Sequence, residues 1–274
     1  MKSSQPIGIF DSGVGGLTVV KRIAEQLPRE NIIYVGDTAH VPYGGKTTAE
    51  LVRLNQNIID FFVQQGAKLV VAACNTSSSV SLPILREAYS VPLLDVISPG
   101  VREAAAVSRT GRIGVIATRA TVGSRAYTRQ LRALNANLQV YEVACPRFVP
   151  LVESGQLEGP EVEQAVREYL EILLGQGIDT LVLGCTHYPF LAPVIKQVVG
   201  DEVVLVDPAD QTARELESIL NTLGIANQET GPAEHTFYAT GPVQSFAAVG
   251  RMLPELFINR VEKLELDDWA QASG

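Results

Sequence analysis

Cys74 and Cys185 each stand where an apolar run gives way to a polar turn. Leu69-Val70-Val71-Ala72-Ala73 leads into Cys74-Asn75-Thr76, and Thr180-Leu181-Val182-Leu183-Gly184 leads into Cys185-Thr186-His187. Backbone N–H groups and a helix N-terminus at such a position stabilise thiolate, which would move the thiol from its usual pKa of about 8.5 toward neutrality. Both cysteines are therefore expected to be reactive. His187 follows closely enough to trade protons with Cys185 or with a substrate. Cys145, in Val143-Ala144-Cys145-Pro146, lacks polar followers and reads as a small buried hydrophobe. His40 and His235 read as structural residues, although His40 precedes the Pro42-Tyr43-Gly44 turn.

A third constellation is the turn Asp11-Ser12-Gly13-Val14-Gly15-Gly16. Its glycine and hydroxyl positions could present backbone N–H groups to an anion such as a carboxylate. It is not a dinucleotide fingerprint, because Thr18 stands where G-x-G-x-x-G needs its last glycine. Gly45-Lys46-Thr47 resembles the end of a phosphate-binding loop, but His40 occupies the place of that loop's first glycine. Neither nucleotide cofactor is indicated.

The elements that must position these groups follow from the hydrophobic pattern. Ile7–Phe10, Ile32–Val35, Leu69–Ala73, Ile113–Ile116, Thr180–Leu183 and Val203–Val206 read as buried strands, separated by segments long enough for crossover helices. Thr47 and Glu50 have capping-box spacing ahead of Leu51, Leu54, Ile58 and Phe61. The expected class is α/β with mainly parallel sheet, in which ligands collect beyond the carboxyl ends of the strands.

The chain also repeats itself. Ile7-Gly8-Ile9-Phe10-Asp11-Ser12 reappears as Ile113-Gly114-Val115-Ile116-Ala117-Thr118. Gly66 through Cys74 reappears as Gly177 through Cys185, with the glycine preceding the cysteine by the same interval. Two related α/β halves follow, with residues 1–97 plus 208–274 as the first domain and 98–207 as the second. If those halves face each other, both cysteines face one cleft. Asp11 could serve only as a turn or capping residue. Its counterpart Ala117 shows that the turn forms without a carboxylate, which favours a special task for Asp11.

Bulk properties narrow the function classes. With 274 residues and 46% hydrophobic content the chain can build a proper core. A formal charge of −8 without a basic stripe argues against nucleic-acid binding. No stretch approaches the ~20 apolar residues of a membrane span, and Met1 to Pro6 lead into only a short apolar segment, so a cytoplasmic protein is expected. The three cysteines form no C-x-x-C pair, so neither a disulfide framework nor a structural zinc site is suggested.

Taken in order, Asp11 to Gly16, Val35-Gly36-Asp37-Thr38, Pro42-Tyr43-Gly44, Ala73-Cys74-Asn75-Thr76 and Gly184-Cys185-Thr186-His187-Tyr188-Pro189 resemble the motif set of the glutamate racemase family over nearly the whole chain. That resemblance implies two similar doubly wound α/β domains related by pseudo-two-fold symmetry, with the active site between them. It implies interconversion of L- and D-glutamate for peptidoglycan precursors, without pyridoxal phosphate or other cofactor, without metal, in a homodimer. By resemblance Cys74 and Cys185 are the catalytic pair, with Asp11 and His187 as their polar assistants. Substrate contacts would come from Asp11, Ser12, Tyr43, Gly44, Asn75, Thr76, Thr186 and His187. The chain departs from the family pattern at Ala39-His40-Val41, where a basic and an aromatic residue are common, and in the three serines after Thr76.

Three other readings stand beside this one. A racemase of aspartate or another acidic amino acid would use the same thiols. A cysteine-nucleophile hydrolase would use Cys185 and His187 but leaves Cys74 without a task. A small-molecule sensor or protein inhibitor could be built on the same scaffold.

Overall fold

The computed structural model describes residues 2–244 and 260–266 together with Phe246, Leu253, Leu256 and Ile258. Ten strands among them, β1 (Ile7–Asp11), β2 (Ile32–Gly36), β3 (Leu69–Ala72), β4 (Leu93–Asp95), β5 (Arg112–Ala117), β6 (Gln139–Ala144), β7 (Thr180–Gly184), β8 (Val204–Val206), β9 (His235–Ala239) and β10 (Val261–Lys263), form two sheets. The order is β10-β9-β2-β1-β3-β4 in one and β6-β5-β7-β8 in the other, and every pairing is parallel. The α/β class with two similar sheets is therefore the observed one. The six buried runs expected from sequence are β1, β2, β3, β5, β7 and β8, with ends shifted by a residue or so.

The internal repeat is structural. Ile7 lies opposite Leu69 and Phe10 opposite Ala72 in the β1–β3 pair, while Ile113 lies opposite Thr180 and Ile116 opposite Leu183 in the β5–β7 pair. The two strand pairs thus share one register, and that register carries Cys74 and Cys185 to equivalent strand ends. The repeated glycines explain how the chain enters those strands. Gly66 (φ +72°) and Gly177 (φ +66°) are both left-handed, and their N–H groups bond the Val63 and Leu174 carbonyls at 3.0 and 2.9 Å. Each closes a helix before the chain turns into its strand, where a side chain would strain the backbone by about 1 kcal/mol.

The helices are α1 (Leu17–Gln26), α2 (Thr48–Gln64), α3 (Asn75–Val80), α4 (Leu82–Leu85), α5 (Ile97–Val107), α6 (Arg119–Ser124), α7 (Ala126–Leu134), α8 (Phe148–Glu153), α9 (Pro160–Leu174), α10 (Ala192–Val199) and α11 (Pro208–Thr222). The capping box starts α2 as expected: Thr47 N donates to Glu50 Oε2 at 2.8 Å, and Glu50 N to Thr47 Oγ1 at 3.3 Å. Strand alternation sends Ile7, Ile9, Leu69 and Val71 to one face with α1 and α11, and Phe10, Val70 and Ala72 to the other with α2. In the second sheet Ile113 and Val115 face α5 and α7, while Leu181 and Leu183 face α9 and α10. Both sheets are covered on both faces, so their strand ends are left as the place for a ligand.

Four strands lie outside the expected set. β4 and β10 have only three residues each, and β6 is exposed at Gln139 and half-buried beyond it. Short strands and sheet edges lack the continuous apolar run that marks a central parallel strand.

Candidate active site

The carboxyl ends of the two sheets meet around a cavity of about 260 Å³. Its walls include both Cys74 and Cys185. Cys74 follows β3 as the N-cap residue of α3, and its carbonyl accepts from Ser78 N at 2.9 Å. Cys185 follows Gly184, the last residue of β7, where a Cβ would approach the Ile116 carbonyl oxygen to 2.8 Å. Both thiols are unbridged and nearly buried, with residue exposures of 5% and 7%. They sit at the ends of register-equivalent strands from opposite halves, so the cavity is where the repeat converges.

The Cys185 side carries a relay of polar groups. His187 Nδ1 lies 3.8 Å from Cys185 Sγ, and its Nε2 lies 2.6 Å from Glu153 Oε1 at the end of α8. Burial alone would push the imidazole down, but its hydrogen bonds to Cys185 and Glu153 and the nearby negative charge of Cys185 and Asp11 outweigh it. His187 is raised to about 10 and is protonated at neutral pH. Glu153 was not anticipated from sequence, since it lies on a short helix with no recognisable motif.

The Cys74 side behaves differently from expectation. Burial, reinforced by the charge of Asp11, pushes this thiol up to about 12, although bonds from the Ser77 N–H and hydroxyl act in the opposite sense. The helix start therefore does not bring Cys74 toward neutrality, because desolvation of a thiolate costs more than one short helix returns. Cys145 is also pushed up, by burial, and its thiol points to the Val143 carbonyl at 3.7 Å. It is buried as expected, and it also contributes to the cavity wall.

Asp11 ends β1 and is fully buried behind the cavity rather than in its lining. Its Oδ2 accepts from Gly13 N and Gly16 N, each at 3.1 Å, and its Oδ1 from Thr186 Oγ1 at 3.2 Å. Two of the turn amides expected to face an external anion are thus taken by a carboxylate of the turn itself. Burial raises the Asp11 pKa against the lowering effects of His187 and these hydrogen bonds. The turn is pressed against the second half: a Cβ on Gly15 would lie 2.5 Å from His187 Nδ1 and 2.6 Å from Thr186 Oγ1.

The remaining expected residues line the cavity: Ser12, Tyr43, Gly44, Asn75, Thr76 and Thr186. Tyr127 OH donates to Asn75 Oδ1 at 2.6 Å, which fixes that amide with its N–H groups available. Tyr43 OH donates at 2.5 Å to Asp37, a buried carboxylate that also bonds His40 Nδ1 at 2.8 Å and Thr240 Oγ1 at 2.6 Å. His40 is structural in this sense, since it anchors the turn bearing Tyr43. The three serines after Thr76 satisfy themselves within the fold: Ser77 with Asn55, Ser78 on the Ala72 carbonyl and Ser79 on the Thr76 carbonyl.

Among the lining residues outside the expected set are Thr118 and Arg119. Thr118 is the repeat counterpart of Ser12, and that correspondence was the signal for it. Its hydroxyl lies 2.9 Å from that of Thr76, joining the two halves above the cavity. Among the described residues, no cluster of three His, Cys, Asp or Glu side chains is arranged to hold a metal ion, and no helix is long and apolar enough to cross a membrane.

The sequence of Asp/Glu/Hydantoin racemases matches residues 7–216, a span that contains both thiols and every strand of the repeat. The chain belongs to that family. Within this racemase family it is 52% identical over 249 residues to the glutamate racemase of Desulforudis audaxviator, covering 89% of this chain and 91% of the relative. A glutamate racemase isoform of Bacillus anthracis superposes with a TM-score of 0.91 at 38% identity, over 96% of this chain and 98% of the other. The glutamate racemase of Francisella tularensis, solved in complex with D-glutamate, superposes with a TM-score of 0.90 at 37% identity, over 97% and 99% of the two chains. Racemase relatives thus share the arrangement of both halves along nearly the full length.

Proposed function

We propose that Cys74 and Cys185 flank the α-carbon of one glutamate molecule and serve as the acid and base of its inversion. The chain interconverts L-glutamate and D-glutamate. The observation that carries the roles of the thiols is their placement at equivalent strand ends of opposite halves, on one shared cavity.

Inversion without redox chemistry requires a proton to leave one face of Cα and another to arrive on the opposite face, which two flanking groups accomplish directly. One enters the step as thiolate and the other as thiol, and each turnover exchanges those states. Cys74, held high by burial, keeps a proton to deliver. When Cys74 is the donor, Cys185 is the base and must enter as thiolate, which the protonated imidazole of His187, 3.8 Å away and held by Glu153, stabilises by charge and hydrogen bond.

Basicity alone does not suffice. An amino-acid Cα–H is weaker as an acid than a thiol by more than about ten pKa units, each worth about 1.4 kcal/mol. Charge developing on the substrate's α-carboxylate must be stabilised by fixed donors in a poorly hydrated space. Ser12, Asn75 and Thr76 supply hydroxyl and amide donors there, and Asp11 acts from behind by accepting from Thr186 Oγ1 and holding the Gly13–Gly16 turn. Tyr43 and Gly44 close the wall opposite, braced by Asp37.

The proposal extends to a cytoplasmic homodimer that supplies D-glutamate for peptidoglycan precursors, with domain limits at 1–97 plus 208–274 and 98–207. Membership of the strands in two sheets supports the division, and resemblance to glutamate racemases supports the rest; sedimentation velocity measures the assembly. A hydrolase built on Cys185 and His187 remains disfavoured because it gives Cys74 no part. The test is incubation of the purified chain with L-glutamate in D2O without added cofactor. D-Glutamate carrying deuterium at Cα is expected, and recovery of unexchanged L-glutamate would reject the reading.

A further inference from the structure

Among the described residues, Arg119 is the one lysine or arginine of the cavity lining, and no carboxylate pairs with it. It opens α6, directly after Thr118, whose hydroxyl caps that helix by accepting from Thr121 N at 3.3 Å. Across the rim lies the Tyr43–Gly45 turn: a Cβ on Gly44 would come within 3.0 Å of Thr118 Cβ. Arg119 therefore stands where the two halves meet at the edge of the cavity, exposed to solvent on one side.

The other lining cation is already engaged. His187 is protonated but lies against Glu153 and Cys185, so its charge is offset locally. Arg147, carried by the residues just before α8, is taken by Glu161 and Glu168. Arg119 thus supplies the uncompensated charge of the lining. The need for one is set by the substrate: glutamate carries two carboxylates and one ammonium at neutral pH, and the whole chain carries −8. At long range such a chain repels its own substrate, and a guanidinium at the mouth of a low-dielectric cleft reverses that field locally. A guanidinium is also always charged and can grip a carboxylate through two N–H groups.

We propose that Arg119 is the recruiting residue for the dicarboxylate substrate, holding one carboxylate at the rim while the α-carbon is seated between the thiols. The inference rests on the reading of the cavity as a glutamate site. Its role is in capture, so its loss falls on KM rather than on kcat.

The experiment compares Arg119→Ala, Arg119→Lys and Arg132→Ala with the unaltered chain, measuring glutamate racemisation at several ionic strengths and glutarate binding by calorimetry. Arg132, exposed on α7, removes the same charge from the same half away from the cavity. Arg119→Ala is expected to raise KM about three- to tenfold, weaken glutarate binding by a similar factor and flatten the salt dependence of kcat/KM. Arg119→Lys should recover part of the loss, and Arg132→Ala should leave KM unchanged. An unchanged KM in Arg119→Ala, a loss confined to kcat, or equal effects of the Ala changes at 119 and 132 would overturn the proposal. If the unaltered chain binds glutarate through Arg119 but does not racemise glutamate, the reaction assignment falls and the recruiting role stands.

Discussion

Thr186 Oγ1 donates to Asp11 Oδ1 at 3.2 Å, so a hydroxyl from the second half is aimed by a carboxylate from the first. The same carboxylate holds Gly13 N and Gly16 N, which makes Asp11 the point where the turn and the opposite strand end are tied together. Asp11→Asn preserves volume but offers an N–H group where Thr186 or a turn amide needs an acceptor. Steady-state kinetics should show kcat reduced about tenfold to a hundredfold, as expected when reacting groups are misplaced. A variant with normal kcat would remove Asp11 from the site's architecture.

Cys185 and, second to it, Glu153 hold His187 in its charged state. With its pKa near 10 against an ordinary 6.5, His187 is charged throughout the neutral range and becomes neutral as pH rises through about 10. Its charge contributes stability fully below pH 6.5, and that contribution disappears as pH climbs past about 10. Glu153→Gln removes the carboxylate 2.6 Å from Nε2. The His187 titration followed by NMR should shift to lower pH, and the alkaline limb of kcat should move with it.

Cys74 is a thiol at neutral pH, since burial and Asp11 push it up to about 12. Alkylation by iodoacetamide consumes thiolate, so labelling of Cys74 followed by peptide mass spectrometry should be slow at neutral pH and rise with pH without a plateau below about pH 10. A plateau near neutrality would mean that the start of α3 outweighs desolvation after all.

The sequence made the central architecture readable because its strongest signals belong to strands buried on both faces. The Gly66–Cys74 and Gly177–Cys185 segments showed their equivalence directly, and the shared register of β1–β3 and β5–β7 is its structural form. Edge strands such as β6 carried no such mark, being half-buried and mixed in polarity. In the site, residues adjacent to the cysteines were legible because strand ends dictate position. Glu153 and Arg119 were not, because the packing of two short helices sets the one against His187 and the other on the cavity wall. The direction of the Cys74 shift was misjudged for a related reason: a sequence displays the helix start that favours thiolate but not the depth of burial that opposes it. Likewise, the glycine-rich turn displayed its amides without showing that Asp11 would occupy two of them.

The most direct measurement is racemisation by Cys74→Ser and Cys185→Ser, each assayed from L-glutamate and from D-glutamate by polarimetry. If the two sulfurs work from opposite faces of one carbon, either change alone should slow inversion in both directions by more than about a thousandfold. Inversion at the unaltered rate by either variant would contradict the paired-thiol account.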